Sequence, residues 1–122
     1  MIEGALIATA LVTDSELIRL LGSEKKIIQG NLSKKPSWDP PFILISTKEG
    51  IPLIESDEGI VVEKSICTIE IIAEEKLEEI KSRIKKLMEG LMFRGEMIKK
   101  IPSERPEWKC LEMSFARARL LQ

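Results

Sequence analysis

Residues 65–92, SICTIEIIAEEKLEEIKSRIKKLMEGLM, decide the fold, because the hydrophobic period changes within them. The first part, residues 65–72, is β-branched and apolar, and Cys67, Ile69 and Ile71 alternate onto one face. That is the pattern of a strand in the middle of a sheet. From residue 74 onward the apolar positions fall at Leu77, Ile80, Ile84, Leu87, Met88 and Leu91. Spacings of three and four set them along one side of a helix over residues 74–92. Glu74, Glu75, Glu78 and Glu79 crowd its first turns and Arg83, Lys85 and Lys86 follow, the charge order that a helix dipole favours. Glu79 and Arg83 stand four apart and form a favourable pair worth roughly a few tenths of a kcal/mol. Gly90 and Gly95 bracket the helix end.

Working outward, the strand reaches back to Ile60, and its parity changes on the way. Val62 and Ile66 share one face while Cys67, Ile69 and Ile71 share the other. Such a change requires either a bulge or a strand covered on both faces near its end. Ser56-Asp57-Glu58-Gly59 is a turn, with Gly59 free to take positive φ. Lys48-Glu49-Gly50 reads as another. Residues 51–55 then go out and residues 60–64 return, so that residues 50–64 project beyond the sheet as a hairpin arm. Before it, residues 42–47 (FILIST) form a strand whose lead-in is Pro40-Pro41, which suits a sheet edge.

Toward the N-terminus, residues 2–11 are apolar with little interruption, and form either a buried helix or a strand. Thr13-Asp14-Ser15 offers N-cap chemistry to a short helix over residues 16–21, and Gly22 stops it. Ile27 and Ile28 lie in a short strand or a turn, followed by a loop rich in Ser, Lys and Pro. Downstream of the long helix, residues 97–101 can form a short strand. Residues 108–121 form the last one, with Leu111, Met113 and Phe115 alternating onto the core. The expected fold is α+β over one domain, residues 1–122. A mostly antiparallel sheet of about four strands carries an N-terminal helix and one central amphipathic helix, with the arm projecting.

Composition bounds the function. A chain of 122 residues with 43% apolar and 32% charged residues has the make-up of an ordinary globular domain. At this length it buries roughly two-thirds of its unfolded surface. A net charge of −1 gives no basic surplus for coating nucleic acid, and no sequence-specific nucleic-acid partner is expected. No stretch approaches the roughly 20 apolar residues of a membrane span. The apolar opening carries Glu3 where a signal peptide carries Lys or Arg, so a cytosolic protein is expected. Cys67 and Cys110 then read as reduced, buried thiols.

Catalytic vocabulary is thin. With no histidine, Ser–His and Cys–His nucleophilic machinery is excluded within the chain. Two distant cysteines cannot make a zinc site, and neither a P-loop nor a G-x-G-x-x-G turn occurs. No cofactor is expected, and only carboxylate-based chemistry remains. The candidates are Glu74, Glu75, Glu78 and Glu79 on the helix, Asp57 and Glu58 at the turn, and Asp39 beside Trp38. Their simpler roles are a solvated first turn, turn formation and loop capping.

Other residues read more naturally as contacts. Lys34-Lys35 lie in a loop and Lys99-Lys100 follow the long helix; neither has the interleaved aromatics of a nucleic-acid surface. Arg117 and Arg119 continue the core-face parity of Phe115, which implies either a subunit contact or a bulge that turns both outward. Trp108 is expected to pack on the core, whereas Trp38 either packs or is offered to a partner. In the arm, Ile51, Leu53, Ile54 and Val61 are apolar residues that need a cover on a projecting element.

The order of these elements is familiar. An apolar first helix with Asp14-Ser15-Glu16-Leu17 precedes Pro40-Pro41-Phe42-Ile43-Leu44-Ile45, then Gly50-Ile51-Pro52, the strand 66–72, the amphipathic helix 77–91 and a closing strand. Over nearly the whole chain, as a pattern and without a short diagnostic motif, this resembles the small tail-completion proteins of long-tailed bacteriophages. That family comprises the tail terminators and tail-to-head joining proteins of phages and prophages. The resemblance implies a non-enzymatic structural protein forming a ring, usually hexameric, that ends the tail tube and meets the head. Its partners would be copies of itself, the tail tube protein and head-connector proteins. Its place would be the virion tail, and the host cytoplasm during assembly. The implied subunit-interface residues are Ile51, Leu53, Ile54, Val61, Arg117, Arg119 and Trp38. A small adaptor domain with a fixed partner is the alternative, and a carboxylate- or metal-dependent enzyme a third.

Overall fold

A computed structural model describes residues 3–30, 39–103 and 105–120. Helix α1 spans Glu3–Val12 and α2 spans Ser15–Leu21, and a single 3-10 turn at Glu24–Lys26 leads into the short strand β1, Ile27–Gln29. Strand β2 runs Phe42–Ser56 and β3 runs Gly59–Ala73; α3 spans Leu77–Gly90, β4 Arg94–Ile101 and β5 Lys109–Leu120. The strands form one sheet in the order β1-β2-β3-β5-β4. Only β1–β2 is parallel; β2–β3, β3–β5 and β4–β5 are antiparallel. The fold is α+β, as the change of period within residues 65–92 requires. The sheet has five strands rather than four, because the Ile27-Ile28 segment adds a parallel edge strand. That edge strand lies against residues 43–45, so the stretch after Pro40-Pro41 is an inner position and not the sheet edge.

Local chemistry explains the helix ends. Asp14 is the N-cap of α2: its Oδ2 accepts from the Leu17 amide at 2.9 Å. Gly22 closes the helix at φ 91°, where a side chain would be strained, and its N–H donates to the Ile18 carbonyl. Helix α3 begins at Leu77, later than its acidic run suggests, because Glu74, Glu75 and left-handed Lys76 (φ 62°) turn the chain out of β3. The helix then crosses the sheet, and β5 inserts between β3 and β4.

The core lies on one face of the sheet. Ile7 and Leu11 of α1, Leu17, Leu20 and Leu21 of α2, and Ile80, Ile84 and Met88 of α3 meet Ile43, Ile45, Cys67, Ile69, Ile71, Leu111, Met113 and Phe115. Fully burying side chains of this size contributes about 1.5–3 kcal/mol each, before entropic costs. The opposite face carries a smaller cluster at one end, Phe42, Ile72 and Cys110, with Trp108 and Ile101 against it. Trp108 meets Phe42 edge to face at 6.4 Å, and the Arg105 guanidinium lies 5.1 Å from its ring centre. The parity change along β3 is thereby resolved: Ile71 and Ile72 are both buried, on opposite faces of the strand. The two cysteines belong to these separate clusters as free thiols, and burial pushes the Cys67 thiol up to about 12.

Two local readings are corrected. Lys48-Glu49-Gly50 does not reverse the chain; β2 continues through it, with a register shift between Lys48 and Ile51. Gly50 takes φ 72° in that bulge, and a glycine with positive φ serves a bulge as readily as a turn. Nor does Arg83 pair with Glu79. Its Nε donates to Asp14 Oδ2 at 2.8 Å, and Nη2 donates to the other carboxylate oxygen. This two-point clamp joins α3 to the cap of α2.

Candidate assembly surface

The arm forms as the turn chemistry dictates. At Ser56-Asp57-Glu58-Gly59 the Ser56 hydroxyl accepts from the Glu58 amide at 3.2 Å and donates to the Gly59 carbonyl at 3.3 Å. Gly59 has φ 126°, open only to glycine without strain. Behind the turn, β2 and β3 stay paired from Ser56↔Gly59 down to Ile51↔Lys64, with further register shifts on either side of Ile54. Strand β5 reaches only as high as Val62, through Leu120. Above that level, among the described residues, the hairpin stands as two strands.

Registered residues share a face, so the rows across the sheet can be read directly. Phe42–Ile72–Cys110–Ile101 forms the small cluster on the face away from the core helices. Moving toward the arm, the next rows are Leu44–Glu70–Glu112–Lys99 and Ser46–Thr68–Ser114–Met97. They are polar in their middle, as expected of a face meeting water. At the root of the arm the character reverses to an apolar row, Ile54–Val62–Leu120. Ile54 is 56% exposed and Leu120 63%, and Leu53 beside them is 52% exposed. Among the described residues, none of the three α-helices covers this row.

The apolar positions singled out in the sequence therefore come together: Leu53 and Ile54 are open, while Ile51 and Val61 are partly buried in the hairpin. Arg117 and Arg119 behave differently. The β3–β5 register is unbroken, so no bulge turns them outward. Arg117 Nη1 donates to the Leu91 carbonyl at the end of α3 (3.1 Å), and its guanidinium lies 4.9 Å from the Phe93 ring centre. Arg119 pairs with Glu63, its cross-strand neighbour. Both have partners within the chain itself. Trp38, Lys34 and Lys35 lie outside the described residues.

Sequence reasoning missed two parts of this surface. Strand β4 starts at Arg94, earlier than expected, and residues 94–100 are all exposed, Met97 and Ile98 included. Met92, just before it, is 78% exposed at φ 69°. Leu53, Met92, Arg94 and Ala118 line an open groove beneath the arm. A signal for β4 existed in the mixture of Met97, Ile98 and three cations; the groove had none, since it joins distant segments.

The carboxylate candidates do not converge on a centre. Glu74, Glu75, Glu78 and Glu79 are exposed at the start of α3, and Asp57 and Glu58 form the turn. The Asp39 backbone carbonyl, not its side chain, accepts from Lys26 Nζ at 2.8 Å. Among the described residues no group of three or more His, Cys, Asp or Glu side chains could hold a metal ion, and no helix is long and apolar enough to cross a membrane. In comparisons with known proteins, no family model matches the chain and no curated protein matches it.

Proposed function

We propose that this chain is a non-enzymatic structural subunit that assembles with copies of itself into a ring. In this reading the ring is a tail-completion ring of a long-tailed phage or prophage, ending the tail tube and joining it to the head. The observation that carries the reading is the uncovered row Ile54–Val62–Leu120 at the root of a projecting hairpin, with Leu53 exposed beside it. Contiguous apolar surface of this kind marks an interface. A hairpin that projects past its own sheet reaches a neighbour through a patch unlike the one that receives it, the heterologous geometry of rings. The order of elements that resembles the tail-completion proteins supplies the biological setting. The virion tail is then its final location and the host cytoplasm the place of assembly.

Native mass spectrometry over a concentration series tests this, alone and with purified tail tubes. A closed ring, or a monomer–ring equilibrium, is expected. Deletion of residues 51–59 leaves a folded protein that is strictly monomeric, and Ile54→Asp weakens assembly with the hairpin intact. A protein that stays monomeric or dimeric throughout, tubes included, overturns the ring and leaves the adaptor domain in its place.

A further inference from the structure

The arm has a matching surface on the opposite edge of the same sheet. We infer that the arm of one copy docks along strand β4 of the next copy, with its acidic and apolar side chains against the basic and apolar side chains of that strand. This assignment of the receiving surface rests on the self-assembly reading above.

Four observations carry it. First, the two elements occupy opposite edges: among the described residues β4 is the last strand on one side, and beyond residue 45 β2 has no strand partner on the other. A contact between opposite edges runs head to tail and repeats around a ring. Second, their charges oppose. Residues 48–58 hold Lys48 against four carboxylates (Glu49, Glu55, Asp57, Glu58), while β4 holds Arg94, Lys99 and Lys100 against Glu96. Lys99 and Glu96 are already engaged, with Glu112 and Lys64. Among the described residues Arg94, Lys100, Glu55 and Asp57 form no ion pair. Third, each carries exposed apolar residues, Leu53 and Ile54 on the arm and Met97 and Ile98, each 46% exposed, on β4. Fourth, strand directions agree. The antiparallel pairings β2–β3, β3–β5 and β5–β4 make β2 and β4 run oppositely, so copies set side by side meet in the antiparallel sense.

The contact is made by side chains rather than by an extended backbone ladder. Pro52 has no N–H to give, and three register shifts interrupt β2 between Lys48 and Glu55. Such devices, like the lysines of β4, keep an edge from pairing indiscriminately. They leave the charge pattern to select the partner and fix its register. Level with β4 on the far edge are residues 42–48 of β2, below the free part of the arm. Successive copies are therefore stepped along the strand direction, and the ring strands tilt to its axis as in a barrel.

A charge swap in the full-length chain tests the assignment, with native mass spectrometry and sedimentation as readouts. Arg94→Glu with Lys100→Glu raises the concentration for half-assembly at least about tenfold, since like charges then face each other. Adding Glu55→Lys and Asp57→Lys to that chain restores assembly, and moderate salt weakens the wild type in the same direction. Independently, Ile54→Cys and Met97→Cys chains, whose positions lie on the same face of the sheet, are mixed and oxidised. A covalent dimer forms only in the mixture; the native Cys67 and Cys110 are buried and do not compete. Assembly untouched by the reversal, or a Met97→Cys chain that cross-links to itself, overturns the β4 assignment while leaving the ring standing. A wild type that never assembles overturns both readings.

Discussion

One pair of strands, β2 and β3, is used in two ways along its length. In its lower half Ile43, Ile45, Ile69 and Ile71 are fully buried under three helices. In its upper half Leu53 and Ile54 are more than half exposed, although the residues are of the same kind and the same two strands still pair, through three register shifts. The difference lies in cover. Among the described residues no arm side chain belongs to the helix-covered core, and β5 pairs with β3 as far as Leu120. An apolar strand residue is thus a statement about needing cover, and the fold decides whether the chain or another molecule supplies it.

The sharpest way to break this contrast is to truncate an isoleucine in each half. Ile69→Ala is expected to cost about 2–5 kcal/mol, through lost transfer energy and the cavity left behind. Ile54→Ala is expected to change monomer stability by no more than about 0.5 kcal/mol, while weakening assembly. Urea unfolding of both variants below the assembly concentration decides the matter. An Ile54→Ala cost of several kcal/mol would make the arm part of the core and erase the distinction.

The covered half also has an electrostatic clamp. The Arg83 guanidinium holds the Asp14 carboxyl below its ordinary value of 3.8, chiefly through the hydrogen bond, against the opposing effect of burial. A depressed folded pKa contributes stability that is full above the unfolded value. That stability is lost as pH falls through 3.8 toward the folded value. Asp14→Ala removes cap and clamp together and costs about 1 kcal/mol for the cap alone. Asp14→Asn keeps a capping oxygen and deletes the charge. It should be less stable than wild type at neutral pH, and the gap should narrow as pH falls below 3.8 toward the folded value. A gap that does not narrow at all as pH falls below 3.8 would assign the effect to packing instead of charge.

How much of this was legible depended on range. The alternation of Leu111, Met113 and Phe115, the α3 stripe, the Asp14 cap, the Gly22 stop and the Ser56–Gly59 turn are all local, and each was readable where it stands. Gly50 was misread because bulge and turn ask the same thing of a glycine. Arg83 was misassigned because its partner lies on another helix, 69 positions away, where no i,i+4 rule reaches. The surface was half legible: Leu53 and Ile54 announced themselves as apolar residues without cover. Arg117 drew notice for its parity, which is real, yet its partner is the carbonyl of Leu91 at the end of α3.

The smallest expected effect tests the boundary between the two halves. Helix α3 closes with the Phe93 amide donating to the Met88 carbonyl and the Met92 amide to Glu89, both at 3.0 Å. Met92 is the left-handed residue of this closure, a position where glycine carries no strain. The residue is 78% exposed and lines the groove beneath the arm, and it is not part of the core cluster. Met92→Gly should therefore stabilise the monomer by about 0.5–1 kcal/mol, raising Tm by roughly 2–5 °C. If the groove receives part of the neighbouring copy, the same change weakens assembly. A strained, exposed methionine would then be a cost to the monomer retained for the contact. A variant that is more stable and assembles as before would confine the contact to the arm and β4, and leave Met92 as strain that nothing in the structure explains.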